Sequence, residues 1–237
     1  MYNFGSHNIK SGVLDYSDLR SQCEQISQTS TKKSGLKDHN RFGKVTDSIL
    51  KSKLIDLMTS ITQDTELEWH FEYFHSGEPV GLHTDYTTVP WDDQVECQVV
   101  VGVIIPLEWN CRQPYTINYN RSQDIPRKLI YRRGEMRYTD TDEVLRYRDK
   151  HEHNPESLQY NPLESAYCKE YMDLEIHSVY QWQTQTCMLF DTRRWHSSSW
   201  FLSENSIPDV STEYKRSIVG FGSRDVPTGT LDELLKN

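Results

Sequence analysis

The sequence predicts a mainly β fold with flanking helices, an antiparallel barrel or sandwich around one core. Apolar segments rich in β-branched and aromatic residues concentrate at 67–109 and 183–222, as strands require. The strongest helical segment precedes them, and the regular strand–helix–strand alternation of a parallel sheet is missing. At 237 residues the chain fits a single domain, 1–237, better than two. Apolar residues make up 35% of it, below the roughly 45–50% usual for globular chains. Aromatic residues, at 11%, offset part of that deficit because they bury large areas.

The N-terminal stretch MYNFGSHNIKSGVLDYSDLR lacks the apolar run of a secretory signal. No segment approaches the roughly 18 apolar residues of a membrane span, so a soluble, intracellular (cytoplasmic) protein with no membrane partner is expected. Cys23, Cys97, Cys111, Cys168 and Cys187 are odd in number and scattered, which favours reduced thiols over a disulfide framework. The net charge of −9 argues against general adhesion to nucleic acid.

Residues 15–63 carry helical signals, with Asp15 or Ser17 as a cap. Within them DSILKSKLIDLMTSI places Ile49, Leu50, Leu54, Ile55, Leu57, Met58 and Ile61 near helical spacing, predicting a helix over about 46–62. The period then changes. LEWHFEYF alternates Leu67, Trp69, Phe71 and Tyr73 with Glu66, Glu68, His70 and Glu72, the pattern of a half-buried strand. SGEP marks a turn, and VECQVVVGVIIPLEW predicts a buried strand pair or one long strand. From 110 to 180 the chain reads as a polar insertion, with ten Lys and Arg against six Asp and Glu over 112–150. A structureless loop of that length is improbable, so short helices are expected around Thr141–His151 and Pro162–Met172. TCMLFDTRRWHSS and EYKRSIVGFGS restore strand character, and TLDELLKN predicts a C-terminal helix.

His83-Thr84-Asp85 is the sharpest chemical feature. In an extended chain, residues i and i+2 project to one side, so an imidazole and a carboxylate converge. His196, at the end of CMLFDTRRWHSS, supplies a third ligand. Two histidines and one carboxylate form the facial set that suits Fe(II) and leaves coordination positions open. His151-Glu152-His153, in a charged segment, reads as surface.

YFHSGEPVGLHTDY, TQTCMLFDTRRWHSSSW and KRSIVGFG together resemble the 2-oxoglutarate and iron(II)-dependent oxygenases. Gly77, six residues before His83, resembles the turn glycine of the prolyl-4-hydroxylase-like branch. The resemblance covers 67–105 and 183–222. It implies a double-stranded β-helix (jelly-roll, cupin-like) core and Fe(II) held by His83, Asp85 and His196. It also implies 2-oxoglutarate as co-substrate, O2 as oxidant, and a hydroxylase that releases succinate and carbon dioxide, with ascorbate as an optional accessory. The basic residue of the last strand would hold the distal carboxylate of 2-oxoglutarate. Here the strand reads Lys215-Arg216-Ser217, and Lys215 and Ser217 share a face unless a bulge intervenes, so either Arg216 or Lys215 is that anchor. Tyr73 stands near a position where the family uses Tyr or Asn.

Two other readings compete: a metal-binding cupin-like barrel without 2-oxoglutarate, acting as an iron-only dioxygenase or isomerase, and a non-catalytic binding protein on the same fold. The substrate is not named by the sequence. The arginines and tyrosines of 110–180 suit an anionic one, with nucleic acid and an oligomer contact left open.

Overall fold

The structure, a computed structural model, describes residues 2–29, 40–77, 80, 83–90, 95–111, 113–122, 127–132, 135–139, 176–198 and 213–227. The helices expected at 141–151, 162–172 and 230–237 lie outside these residues, as do His151, His153 and Cys168.

Among the described residues, both helices begin on an aspartate. Asp15 Oδ1 accepts from the backbone N–H groups of Ser17 at 3.0 Å and Asp18 at 3.2 Å, capping α1 (Tyr16–Thr29). Asp47 Oδ1 accepts from the Leu50 N–H at 2.7 Å at the start of α2 (Ser48–Thr62). Each cap satisfies N–H groups that the first helical turn leaves unpartnered. Helix α2 ends at Gln63, whose φ of 54° is left-handed and whose N–H bonds the Thr59 carbonyl. Leu50, Leu54 and Met58, four residues apart, turn inward. Ile49, expected in the same apolar stripe, is 69% exposed.

Among the described residues, the larger sheet has nine strands. One half runs β2 (Asn40–Lys44), β3 (Glu68–Ser76), β12 (Lys215–Pro227), β5 (Val95–Trp109). The far edge of β5 is shared: Val101–Ile104 pairs with β10 (Thr186–Asp191), which in turn carries β1 (Gly5–Asn8). Residues 96–98 pair with β4 (Thr87–Pro90), followed by β7 (Arg127–Arg132) and β8 (Glu135–Thr139). Every pairing is antiparallel except β4 with β7.

Strand alternation gives this sheet two unlike faces. Trp69, Phe71 and Tyr73 of β3, Val101, Val103 and Ile105 of β5 and Ile218 of β12 form one core with Leu19 and Cys23 of α1 and Leu54 and Met58 of α2. Each large apolar side chain fully buried there contributes about 1.5–3 kcal/mol. Phe74, Ile104, Lys215, Ser217, Val219 and Phe221 line a cavity instead.

A three-stranded sheet, β11 (Arg194–Ser198), β6 (Tyr115–Ser122) and β9 (Ile176–Gln181), forms the cavity's other wall. The structure adds detail to two segments here. The segment TCMLFDTRRWHSS holds two strands, β10 and β11, one in each sheet. The turn between them is braced by Asp191, which accepts from Arg193 Nε at 3.0 Å and Nη2 at 2.8 Å. The polar segment 110–180 contributes β6 and β9 to the smaller sheet. The polar appearance of β6 has a physical cause: Thr116 lines the cavity and Asn118 pairs with His196, while Ile117 and Tyr119 are fully buried.

No helix among the described residues is long and apolar enough to cross a membrane. Cys23, Cys97, Cys111 and Cys187 are in the thiol form.

Candidate active site

His83 and His196 are brought together by an isolated antiparallel bridge. The His83 N–H donates to the His196 carbonyl at 3.0 Å, and the His196 N–H to the His83 carbonyl at 2.9 Å. The Asp85 N–H then donates to the Thr192 carbonyl at 3.0 Å, which continues the extended path. His83 and Asp85 therefore project to the same side, toward His196, and Thr84 is buried away from them. Nε2 of His83 lies 3.7 Å from Asp85 Oδ1, and Nε2 of His196 lies 3.3 Å from Asp85 Oδ2. One donor atom from each residue falls within 4.8 Å of the others.

The tautomer of His196 follows from its other nitrogen. Nδ1 lies 3.0 Å from the Arg194 carbonyl, and a carbonyl only accepts, so Nδ1 carries the proton of the neutral ring. Nε2 then turns a lone pair toward a carboxylate oxygen. Two acceptors facing each other at that distance require a proton or a cation between them, and the donor set suits a divalent metal. His196 is only 4% exposed, and the Phe190 ring packs 4.9 Å from it. That ring fits because residue 102 is glycine: a Cβ there would lie 2.2 Å from Phe190 Cζ.

The cavity beside the three ligand residues measures about 110 Å³. Of the residues singled out on the last strand, Lys215 and Ser217 line it. The bulge between β12 and β5 skips a residue of β5, so alternation along β12 is intact. Lys215 is 2% exposed, and its Nζ sits 4.9 Å from the centroid of the Trp182 ring, a cation–π distance. Burial pushes its amine down to about 7. Ser217 is fully buried, and its Oγ has no partner among the described residues.

Arg216 and Tyr73 are not brought to the cavity. Arg216 Nε donates to His75 Nδ1 at 3.2 Å, its Nη1 is bonded to Glu108, and its guanidinium lies 4.3 Å from the Tyr214 ring centroid. The Tyr73 hydroxyl donates to Gln22 Oε1 at 2.5 Å on the helix side. The sequence reading missed Thr116, Asn118, Trp182 and Phe190. The visible signal for the first two is the alternation of Thr116, Asn118 and Asn120 with Ile117 and Tyr119.

No family model matches the chain, and no curated protein matches it in sequence. Similar solved structures include the non-heme alpha ketoglutarate dependent epimerase SnoN from nogalamycin biosynthesis. That similarity has a TM-score of 0.52 at 10% identity, over 93% of this chain and 79% of that one. The epimerase in complex with Fe3+, alpha ketoglutarate and nogalamycin RO is similar at a TM-score of 0.52 and 9% identity, over 94% and 81%. The non-heme alpha ketoglutarate dependent carbocyclase SnoK from the same biosynthesis is similar at 0.51 and 10%, over 98% and 86%. At such identities the likeness is one of fold, and the fold is the expected double-stranded β-helix: two facing sheets, with the three ligand residues at the joint between β11 and the segment 83–85.

Proposed function

We propose that the chain is an Fe(II)- and 2-oxoglutarate-dependent dioxygenase that hydroxylates its substrate with release of succinate and carbon dioxide. The observation that carries this reading is that His83, Asp85 and His196 share one cavity with the buried pair Lys215 and Ser217. A metal-binding set and an anion-binding pair at one site match a co-substrate that is both a chelator and a dicarboxylate.

Each residue has a definite task. His83, Asp85 and His196 would hold the metal on one face. The Arg194 carbonyl keeps the proton of His196 on Nδ1, and Phe190 shields that ring from water. Lys215 would face the distal carboxylate as a point charge on a flexible stem rather than as a guanidinium fork. The Ser217 hydroxyl would donate beside it. When bound, Fe(II) and 2-oxoglutarate supply the oxygen chemistry that no side chain here provides. The fold also hosts an epimerase and a carbocyclase, so hydroxylation is the finer part of the proposal. The position of Gly77 supports a prolyl-4-hydroxylase-like branch at the same finer level.

Anaerobic titration with Fe(II) and then 2-oxoglutarate, followed by a succinate assay over a substrate panel, tests the reading. A charge-transfer band that needs both components is expected, and Asp85→Ala abolishes band and turnover while the far-UV spectrum is unchanged. Full turnover in Asp85→Ala would overturn the assignment. Metal binding without any response to 2-oxoglutarate would favour the iron-only alternative.

A further inference from the structure

The two faces of the larger sheet are covered unequally. On the helix side Ile105 and Ile218 are 0% exposed. Their chain neighbours Ile104 and Val219 turn to the cavity with Phe221, and all three are only half-buried. At the end of that face stands Phe42 on β2, the terminal strand of the sheet among the described residues. It is 51% exposed and lines the same cavity as the three ligand residues. A lone phenylalanine on an outer surface is ordinary. An apolar surface continuous with a metal-binding cavity is what a ligand site looks like.

The register gives this surface its shape. Phe42 pairs with Phe74 across β2 and β3, and Phe74 pairs with Ser217 across β3 and β12. Cross-strand partners share a face, so one row runs from the rim through two rings to the anion-binding pair. Phe42 lies roughly 10 Å, two strand spacings, from Ser217. The two rings are stacked, with 4.7 Å between centroids and 27° between planes. Phe74, itself 7% exposed, thus covers one face of the Phe42 ring, and the exposed half is its edge and opposite face.

The polar lining of the cavity is already engaged. Thr116 Oγ1 accepts from Trp182 Nε1 at 3.0 Å. The Ser197 hydroxyl shares a 3.0 Å bond with the Tyr119 hydroxyl, and Ser198 Oγ accepts from the Val80 N–H. Lys215, the one Lys or Arg among the described lining residues, is assigned to the co-substrate. What is left to receive a substrate is apolar and, at Phe42, flat.

We infer that the substrate presents an uncharged planar ring, which stacks on Phe42 at the cavity rim, and that Phe42 sets this specificity. The inference rests on the oxygenase reading and names its substrate class. It points away from the anionic substrate that the charge of segment 110–180 suggests.

Titration calorimetry on protein loaded with Mn(II), which does not turn over, and 2-oxoglutarate compares three probes: 2-naphthalenemethanol, its saturated decalin counterpart, and 2-naphthoate. The neutral flat ring should bind most tightly. Mn(II) should broaden its proton resonances, which places it in this cavity rather than on a distant apolar patch. Phe42→Ala should lower its affinity roughly three- to tenfold, the scale of one aromatic pair, and Phe42→Tyr should retain it. Affinities for Mn(II) and 2-oxoglutarate should stay within about twofold of wild type in both variants. Phe42→Leu keeps apolar area on β2 without a flat ring and should erase the preference for naphthalene over decalin, which preserves the test if the alanine variant does not fold. The inference is overturned, with the oxygenase reading intact, by a wild type that prefers decalin or naphthoate or binds none of the three. Naphthalene affinity unchanged in the alanine and leucine variants, or binding without Mn(II) broadening, also overturns it. If Mn(II)-loaded wild type does not bind 2-oxoglutarate, the oxygenase reading itself falls, and the inference with it.

Discussion

Lys215 places an ionisable amine where water is nearly excluded. Burial holds its pKa near 7, far below the ordinary lysine value. Cys111, whose thiolate would favour the ammonium, is itself pushed up to about 11 by burial and stays a thiol through neutral pH. Between about 7 and the unfolded lysine value near 10.4, the unfolded chain binds more protons than the folded one. This group therefore makes ligand-free stability rise with pH across that window. Anion binding reverses the preference, since a carboxylate beside the amine favours its charged form. Affinity for 2-oxoglutarate should be full below about pH 7 and weaken above it by up to about tenfold per unit. Titrations from about pH 6 to 9 measure the slope, and Lys215→Arg, charged throughout, should flatten it. A flat wild-type profile would remove Lys215 from the anion site. Arg216 gives the contrasting case. Arg216→Met deprives Glu108 and His75 of their partner and should cost about 1–3 kcal/mol in denaturant unfolding. Its 2-oxoglutarate affinity should remain within twofold of wild type.

At the scale of elements, two glycines separate the jobs of the larger sheet's two faces. Gly102 makes room for Phe190, which braces His196 on the cavity side. Gly220 makes room for the Phe71 ring and Val103, whose atoms would lie 2.6 and 2.8 Å from a Cβ, on the helix side. Gly102→Ala and Gly220→Ala should each lose about 1–3 kcal/mol through overpacking. Only Gly102→Ala should also weaken Mn(II) binding, which titration of both variants would show. Strands β3, β5, β10 and β12 were legible in the sequence because an apolar face meets the helices at every second residue. Strands β6 and β9 were not, because β6 carries Thr116 and Asn118 where a core strand would carry valine or leucine. Site-lining strands break the pattern that reveals ordinary ones. The ligand residues were legible because HxD spacing projects two ligands to one side of an extended chain. Which of Lys215 and Arg216 faces the cavity was not, because it depended on which strand bore the bulge, and that is fixed only by pairing with β5.

Across the whole molecule, the ligand residues lie where segment 83–85 meets β11. Segment 83–85 is tied to β11 and the preceding turn by the His83–His196 bridge and the Asp85 bond to the Thr192 carbonyl, and three ligand side chains face one another across that joint. Without a cation, their lone pairs and the carboxylate oppose closure. With one, the same groups pull the segment and the strand together, so metal binding should appear as global stability. An ion at 100 times its dissociation constant contributes about 2.7 kcal/mol. For a chain of 237 residues that corresponds to a rise of roughly 5–10 °C in melting temperature. Chelation should reverse the rise, and Asp85→Ala should show little of it. The protein's net charge of −9 will also attract cations without specificity, and the variant separates the two effects. An equal shift in wild type and Asp85→Ala would mean that the stabilising ion binds to the acidic surface. A shift confined to wild type, with slowed amide exchange at His83, Asp85 and His196, would locate it at the joint between the sheets.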